Sequence, residues 1–530
     1  MRLLRSFKRS DHLYPVMAGY SSERSWARYR RPFYACLAFV SFMYGIIFSA
    51  FGTFLLLQLV APIFLIAGLT IWLLPEVERP PERVMAFLLW SFLTVLICWP
   101  NYLALVLPGM PWITFTRLTS VPLALTLLVC LSVSTPIRQT LALVLDEFPY
   151  MWKFFAIFMG IAFISIGFSS NASASFSKFI VAQLYWTLVF ITSCFIFTRP
   201  GSAVAFCRIV LICTVFVCAI ALSEWRKQDL LWAGHIPSFL KVDDQTLSMI
   251  LTASMRQASG VYRVKSVFST PLGLAEFLAY SAPFLVYMTI SKGPLVMRAI
   301  SLITIPMALY VIILTDSRLG MIGFFMTGFL YLFAAGATRW HSNRESIVGP
   351  LIVISYPAVL ALFLAASLAW RRLHNMVWGG GAQQFSSQAR AGQIAAGLPK
   401  IMSHPWGYGI GRGGETLHYA NPVGVFSIDS YYLSVALEYG IVGFIVYYMI
   451  FIFAIYYGTK SAIKAKSTET KLLVPLVIAL VNFTVIKSVF SQEDNHPLIF
   501  LMLGAIMALS YRVTSDGRMT PRLANAIIRN

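Results

Sequence analysis

Residues 295–314 read LVMRAISLITIPMALYVIIL. Twenty residues with one charge, each rising 1.5 Å along a helix axis, make a rod of about 30 Å, the hydrocarbon thickness of a bilayer. The stretch before it, 271–290, repeats the pattern. Apolar runs of similar length recur near 33–53, 54–74, 84–104, 112–133, 151–168, 178–197, 204–223, 319–336, 349–370, 430–457, 472–489 and 497–511, giving about fourteen spans. The 530 residues are 58% hydrophobic and only 12% charged, too few polar groups to cover a soluble surface. The expectation is an all-α, polytopic transmembrane helix bundle with two large, partly helical loops, folded as one domain over 1–530.

The N-terminal segment 1–32 carries Arg2, Arg5, Lys8, Arg9, Arg24, Arg28, Arg30 and Arg31. No small-residue cleavage site follows, so the segment is expected to stay as a cytoplasmic anchor on anionic lipid. A nucleic-acid arm is the rival, but no base-stacking arrangement of aromatics accompanies the charge, and no nucleic-acid partner is expected. With that end inside, the cytoplasmic segments hold most of the 41 Lys and Arg residues. Short outer connections hold only Arg117, Lys178, Arg318 and Lys487. This is the positive-inside distribution of a multi-pass inner-membrane protein with both termini cytoplasmic. Two long outer loops escape that rule. The first, 224–270, carries Arg226, Lys227, Lys241, Arg256, Arg263 and Lys265; the second, 371–429, carries Arg371, Arg372, Arg390, Lys400 and Arg412.

Three helix starts face this outer side. Thr270 and Pro271 form an N-cap and first turn, Thr315-Asp316-Ser317-Arg318 opens the tenth span, and Ser427-Ile428-Asp429-Ser430 opens the twelfth. Each start presents unpaired N–H groups and partial positive charge, and with Arg263 and Arg318 they compose an anion site. Arg318 has an alternative as a snorkelling residue paired with Asp316. Arg263 has one as a solvated loop charge. Arg390, beside the face marked by Ala389, Ile394, Leu398 and Ile401, has one as a surface arginine.

Gly409-Ile410-Gly411-Arg412-Gly413-Gly414 matches the dinucleotide fingerprint by letter, but no strand or β-α-β context surrounds it. A flexible turn letting backbone approach a phosphate or sugar is the expected use. His404, His418 and His235 lack metal-ligand spacing, and no Asp-x-Asp triplet occurs. All seven cysteines sit in apolar stretches with no Cys-x-x-Cys spacing, as small core side chains rather than disulfides. Gln492-Glu493-Asp494-Asn495-His496 reads mainly as a solvated turn. Glu276 and Glu438 fall inside spans, where a lone carboxylate is costly, so each is a functional candidate or the partner of an arginine. Glu438 is nine residues from Asp429, out of phase on a helix, and is expected to pair with a neighbouring helix.

The stretch Arg263 to Leu278, then Ser317-Arg318, then Arg390 with His404-Pro405-Trp406-Gly407-Tyr408-Gly409, and finally Asp429-Ser430-Tyr431-Tyr432-Leu433 through Glu438-Tyr439-Gly440-Ile441-Val442-Gly443, resembles the O-antigen ligase/polymerase superfamily over roughly 260–450. The resemblance implies transfer of a glycan from undecaprenyl pyrophosphate at the periplasmic face, with no metal or other cofactor. It implies that Arg263, Arg318 and Arg390 hold the pyrophosphate. Ligases of the family carry a histidine where this chain has Asp429, which favours a Wzy-type polymerase of exopolysaccharide, capsule or O-antigen. Asp429 is then the candidate base, with an N-cap as its alternative. His404, Gly409, Gly411 and Arg412 form a candidate substrate loop and Glu438 a supporting carboxylate. The expected partners are the lipid-linked oligosaccharide, membrane lipid and a chain-length co-polymerase. A ligase passing polymer to lipid A core is the alternative within the family. A lipid-linked oligosaccharide flippase is the alternative outside it, although charges within the spans are few and no internal repeat is found.

Overall fold

The computed structural model describes residues 66–527 apart from 67, 78–79, 106–112, 241–249, 252–259, 344, 371–383 and 421–425. In chain order the described helices are α1 (Glu82–Cys98), α2 (Phe115–Val133), α3 (Thr135–Glu147), α4 (Pro149–Ser165), α5 (Ala172–Ala182), α6 (Leu188–Ile196), α7 (Ser202–Lys227), α8 (Pro271–Ile290), α9 (Leu295–Leu314), α10 (Arg318–Ser342), α11 (Val348–Ala369), α12 (Gln384–Ser403), α13 (Gly413–Leu417), α14 (Tyr431–Lys464), α15 (Leu473–Lys487) and α16 (His496–Ile527). A π turn, Gln183–Thr187, joins α5 to α6. Two-residue strands β1 (Ala104–Leu105) and β2 (Ile113–Thr114) pair antiparallel.

Eleven helices among the described residues are long and apolar enough to cross a membrane. The α1 helix, with 17 residues, covers the expected 84–104 span. This is an all-α polytopic membrane protein, as its apolar periodicity implies. The basic leader 1–32 and the expected spans 33–53 and 54–74, save the end of the second, lie outside the described residues, as do Lys241, Arg256, Arg371 and Arg372. Both long loops are partly helical: α7 extends to Lys227, and α12 and α13 lie within 371–429.

The chain divides into two compact units, the larger being Glu82–Val106, Trp112–Leu127 and Ile137–Asn530. In the smaller, Ser132 Oγ donates to Ile71 O at 2.6 Å and Val77 N to Val133 O at 2.8 Å.

Within the larger unit the helices meet through small residues, which let backbones approach where lipid gives no hydrophobic push. A Cβ at Gly504 of α16 would lie 1.9 Å from Ser193 Oγ and 2.4 Å from Phe190 O of α6. Ser193 Oγ in turn donates to Leu501 O at 2.9 Å. Gly320 and Gly323 of α10 likewise accept Ala275 and Ala279 of α8, whose methyls would lie 2.7 and 3.1 Å from added Cβ atoms. Asn482 of α15 ties the same group together, donating to Ala279 O at 3.2 Å and to Thr327 Oγ1 of α10 at 3.0 Å. Aromatic rings fill the centre: Phe158 of α4 lies 4.9 Å from both Tyr439 and Tyr447 of α14. The α11 helix, by contrast, is almost wholly exposed and apolar, the surface expected against lipid.

Replacing Gly504 with valine should separate α6 from α16, because neither Ser193 nor the Phe190 carbonyl can move without breaking helix. The detergent-purified variant is expected to lose at least about 1–3 kcal/mol of stability; an unchanged melting curve would contradict the close crossing.

Candidate functional site: a cationic cluster at three helix starts

Before α8, the backbone is held by a carboxylate. Glu224, fully buried near the end of α7, accepts Tyr262 Oη at 3.0 Å, Lys265 N at 3.2 Å and Ser266 N at 2.6 Å. Ser266 takes a left-handed φ of 51° to make this turn. Fixed in this way, Arg263 donates from Nε to Thr315 O at 2.8 Å, and Val264 N donates to Leu314 O at 3.3 Å. Arg263 therefore sits on the turn that opens α10, where Arg318 is the first helical residue. It is more than a solvated loop charge.

The expected caps form at α8 and α10. Thr270 Oγ1 accepts Gly273 N at 3.1 Å with Pro271 in the first turn, and Ser317 Oγ accepts Gly320 N at 3.2 Å. At α14 the capping residue is Ser430, which makes no side-chain cap bond, so Asp429 lies outside the helix. The N-cap reading of Asp429 and the phase comparison with Glu438 both fall with that boundary.

The starts of α8 and α14 converge on Lys487. Its ammonium lies 2.5 Å from Glu276 Oε1, and both side chains are fully buried. Tyr280 Oη donates to Glu276 Oε1 at 2.5 Å, while Asn495 Nδ2 donates to Glu276 Oε2 and to Gly273 O, each at 3.0 Å. The same ammonium bonds Gln492 O and stands 5.5 Å from the ring centre of Tyr431, the first residue of α14. Glu276 thus pairs with a lysine rather than an arginine, and Lys487 is an interior cation rather than a charge on an outer connection.

The turn at 492–496 is correspondingly not a solvated connection. Asn495 is 3% exposed and His496 fully buried, because their side chains complete the contacts of α8 and α14. Asp494 Oδ2 accepts Ser269 Oγ at 2.5 Å, and Glu493 pairs with Lys178 of α5. Burial pushes the Asp494 carboxyl above its usual range, and the Ser269 hydrogen bond partly offsets this.

Arg390 belongs with Asp429. Gln393, one turn along α12, accepts Asp429 N at 2.9 Å. Burial is the larger influence on both groups: it raises the Asp429 carboxyl and lowers Arg390, while each one's charge opposes the other's shift. The α12 face pressed on α14 differs from the expected one. Gln393, Gly397 and Ile401 are buried, whereas Ile394 and Leu398 are 54% and 53% exposed. Packing selects the small face, since a Cβ at Gly397 would lie 2.7 Å from Leu433 Cδ1.

The glycine run is a clasp rather than a flexible turn. Gly440 breaks α14 with φ 71°, and a Cβ there would lie 1.9 Å from Pro405 O, so only glycine fits. Across the break, Tyr408 N donates to Leu437 O at 2.9 Å and Gly409 N to Glu438 O at 3.1 Å. Glu438 turns its carboxylate into the run, accepting Gly411 N at 2.8 Å, Gly413 N at 3.3 Å and Ser434 Oγ at 3.1 Å. Ile410 N donates to Ser165 Oγ at 3.2 Å. These amides are occupied by the protein's own groups, which replaces the phosphate-approach expectation; Glu438 meets a neighbouring helix at Gly413, the first residue of α13. Arg412 pairs with Glu415, and His404 is an exposed residue 3.0 Å from Tyr408 Oη.

Residues 281–448 match the family model described as O-antigen ligase. The match supports the O-antigen ligase/polymerase superfamily and, generally, a ligase- or polymerase-type activity. No curated protein matches the chain.

The matched stretch includes Arg318, Arg390, Asp429 and Glu438, while Arg263, Lys487, Glu493 and Asp494 lie outside it. Those outside residues complete the surroundings of the helix starts. Lys487 had one readable signal: Glu276, inside a span, required a cation, and Lys487 closes another span. Glu224 and Gln393 had none.

Removing one member of the Glu276–Lys487 pair strands a buried charge. Lys487→Met is expected to cost about 3–5 kcal/mol in detergent unfolding, and adding Glu276→Gln should recover much of that. Equal melting temperatures for wild type and the single variant would refute the pair.

Proposed function

We propose that the protein is a glycosyltransferase that polymerises lipid-linked oligosaccharide units at the periplasmic face of a bacterial inner membrane. The observation carrying this reading is the tether from Arg263 Nε to the Thr315 carbonyl, which brings Arg263 to the turn that Arg318 follows as the first residue of α10. Permanent, fork-shaped cations at helix N-termini suit a diphosphate. The Lys and Arg distribution of the sequence supports an outward-facing site with cytoplasmic termini.

In this reading the acceptor hydroxyl oxygen attacks the anomeric carbon of the donor chain. The bond from that carbon to the phosphate oxygen breaks, and undecaprenyl pyrophosphate leaves with the electron pair. Arg263, Arg318 and Arg390 stabilise the charge gathering on the pyrophosphate. Asp429, beside Arg390, receives the hydroxyl proton; its raised carboxyl is the stronger base for it. Glu438, sequestered by Gly411 and Gly413, supports the loop instead of the chemistry.

The family model's own description favours a second reading, transfer of finished polymer to a lipid acceptor. Labelled lipid-linked repeat units supplied to the purified protein separate the two. Ladders of increasing length indicate polymerase; product only when lipid A core is added indicates ligase.

Arg318→Ala should lower elongation by about 10²–10³-fold or more while the protein still inserts at normal levels. Full-length polymer from cells carrying it would sink the pyrophosphate clamp.

A base works only when ionised, so the rate should hold above the Asp429 pKa and fall as pH drops through it. Burial raises that pKa, so the inflection should stand above the ordinary value of about 3.9. In Asp429→Asn the residual rate should lose this acid limb; an unchanged profile would remove Asp429 from the reaction.

A further inference from the structure

A cavity of about 290 Å³ lies among α1, the β1–β2 hairpin, the start of α2, α5 with its π turn, and the 493–497 turn. Its polar lining is Asn101, Thr114, Thr116, Arg117, Lys178, Tyr185, Glu493 and Asp494; Leu96, Val181, Ala182, Trp186 and Pro497 form the apolar side. None of these residues lies within 281–448, and none belongs to the pyrophosphate clamp.

The lining chemistry differs from that of the arginine cluster. Two cations face two carboxylates, so the formal charge cancels. Hydroxyls and an amide supply further donors and acceptors: Tyr185 Oη donates to Thr116 Oγ1 at 3.0 Å, and Thr114 Oγ1 lies 2.8 Å from Thr116 Oγ1. A pocket with balanced charge, dense hydroxyl-type partners and one apolar wall suits a polyhydroxylated ring. Its volume is near the low end of the roughly 300–1,000 Å³ of small-molecule sites, which fits a sugar and excludes a polyprenyl tail.

The cavity is also connected to the helix starts. Asp494 lines it and accepts Ser269 Oγ at 2.5 Å, one residue before the Thr270 cap of α8. Glu493 lines it and pairs with Lys178, another wall residue.

We propose that this cavity is a saccharide site that receives the terminal sugar of the acceptor glycan beside the start of α8. The role of acceptor rests on the transferase reading above; saccharide binding by the cavity does not. Sugar hydroxyls donate to Glu493 and Asp494 and accept from Arg117 and Lys178, while the ring's apolar face lies on the side of Trp186.

The test uses the full-length protein in detergent. The probe is the oligosaccharide released by mild acid from the host's own lipid-linked repeat units, labelled at its reducing end with a fluorophore. Val181→Trp fills the cavity and Asn101→Ala removes an amide from its wall; neither breaks the Lys178–Glu493 pair, and melting curves verify folding. Saturable binding by wild type, weakened about tenfold or more in both folded variants and retained in Arg318→Ala, is the expected result. In turnover the variants should raise KM for the acceptor and leave that for the lipid-linked donor unchanged. Binding of equal strength in wild type and both variants, or no binding by wild type, would overturn the site. Cavity-dependent binding by a protein that transfers no glycan would leave the site standing and remove the transferase reading instead.

Discussion

The ammonium of Lys487 against the carboxylate of Glu276 is the contact on which the loop-bearing end of this bundle depends. Neither charge reaches solvent, and an ion moved alone from water into such surroundings costs several kcal/mol. Proximity offsets that cost only if the remaining donors and acceptors are also met. Tyr280 and Asn495 meet those of Glu276; the Gln492 carbonyl and the Tyr431 ring meet those of Lys487. Because these partners come from α8, the start of α14, the end of α15 and the turn before α16, satisfying one ion pair sets four segments relative to each other.

Carboxylates organise the rest of this end by the same means. Glu224 collects the amides that precede α8, and Glu438 collects those of the glycine run across the break in α14. In both cases an acidic side chain in an apolar helix is made tolerable by backbone N–H groups that would otherwise lack partners. The consequence for function is a separation of roles. These buried acids hold backbone, and Arg263 is held on the turn that opens α10 by its bond to the Thr315 carbonyl.

How much of this was legible varies with the range of the interaction. The caps at Thr270 and Ser317 and the spans 271–290 and 295–314 follow from local residues, and the structure reproduces them. The α12 face was misread because apolar spacing predicts burial only when a partner surface wants bulk; here Leu433 required the space at Gly397. The glycine run was misread because glycine reports backbone freedom and not what claims its amides, which is a side chain in another segment, Glu438. The turn at 492–496 looked solvated from its polar letters, and its burial comes from Ser269, Lys178 and Glu276, each more than 200 residues away in the chain.

By itself the sequence determined that this protein is helical and membrane-embedded, since about 20 apolar residues in succession can satisfy their backbone in lipid only as helix. It also determined where several helices begin, through capping residues that act within one turn. Only the tertiary structure decided which charges are interior and paired, which arginine rests on which turn, and that a polar cavity lies beside them. Those outcomes depend on contacts between segments far apart in the chain, and the spacing of residues along one segment carries no record of them.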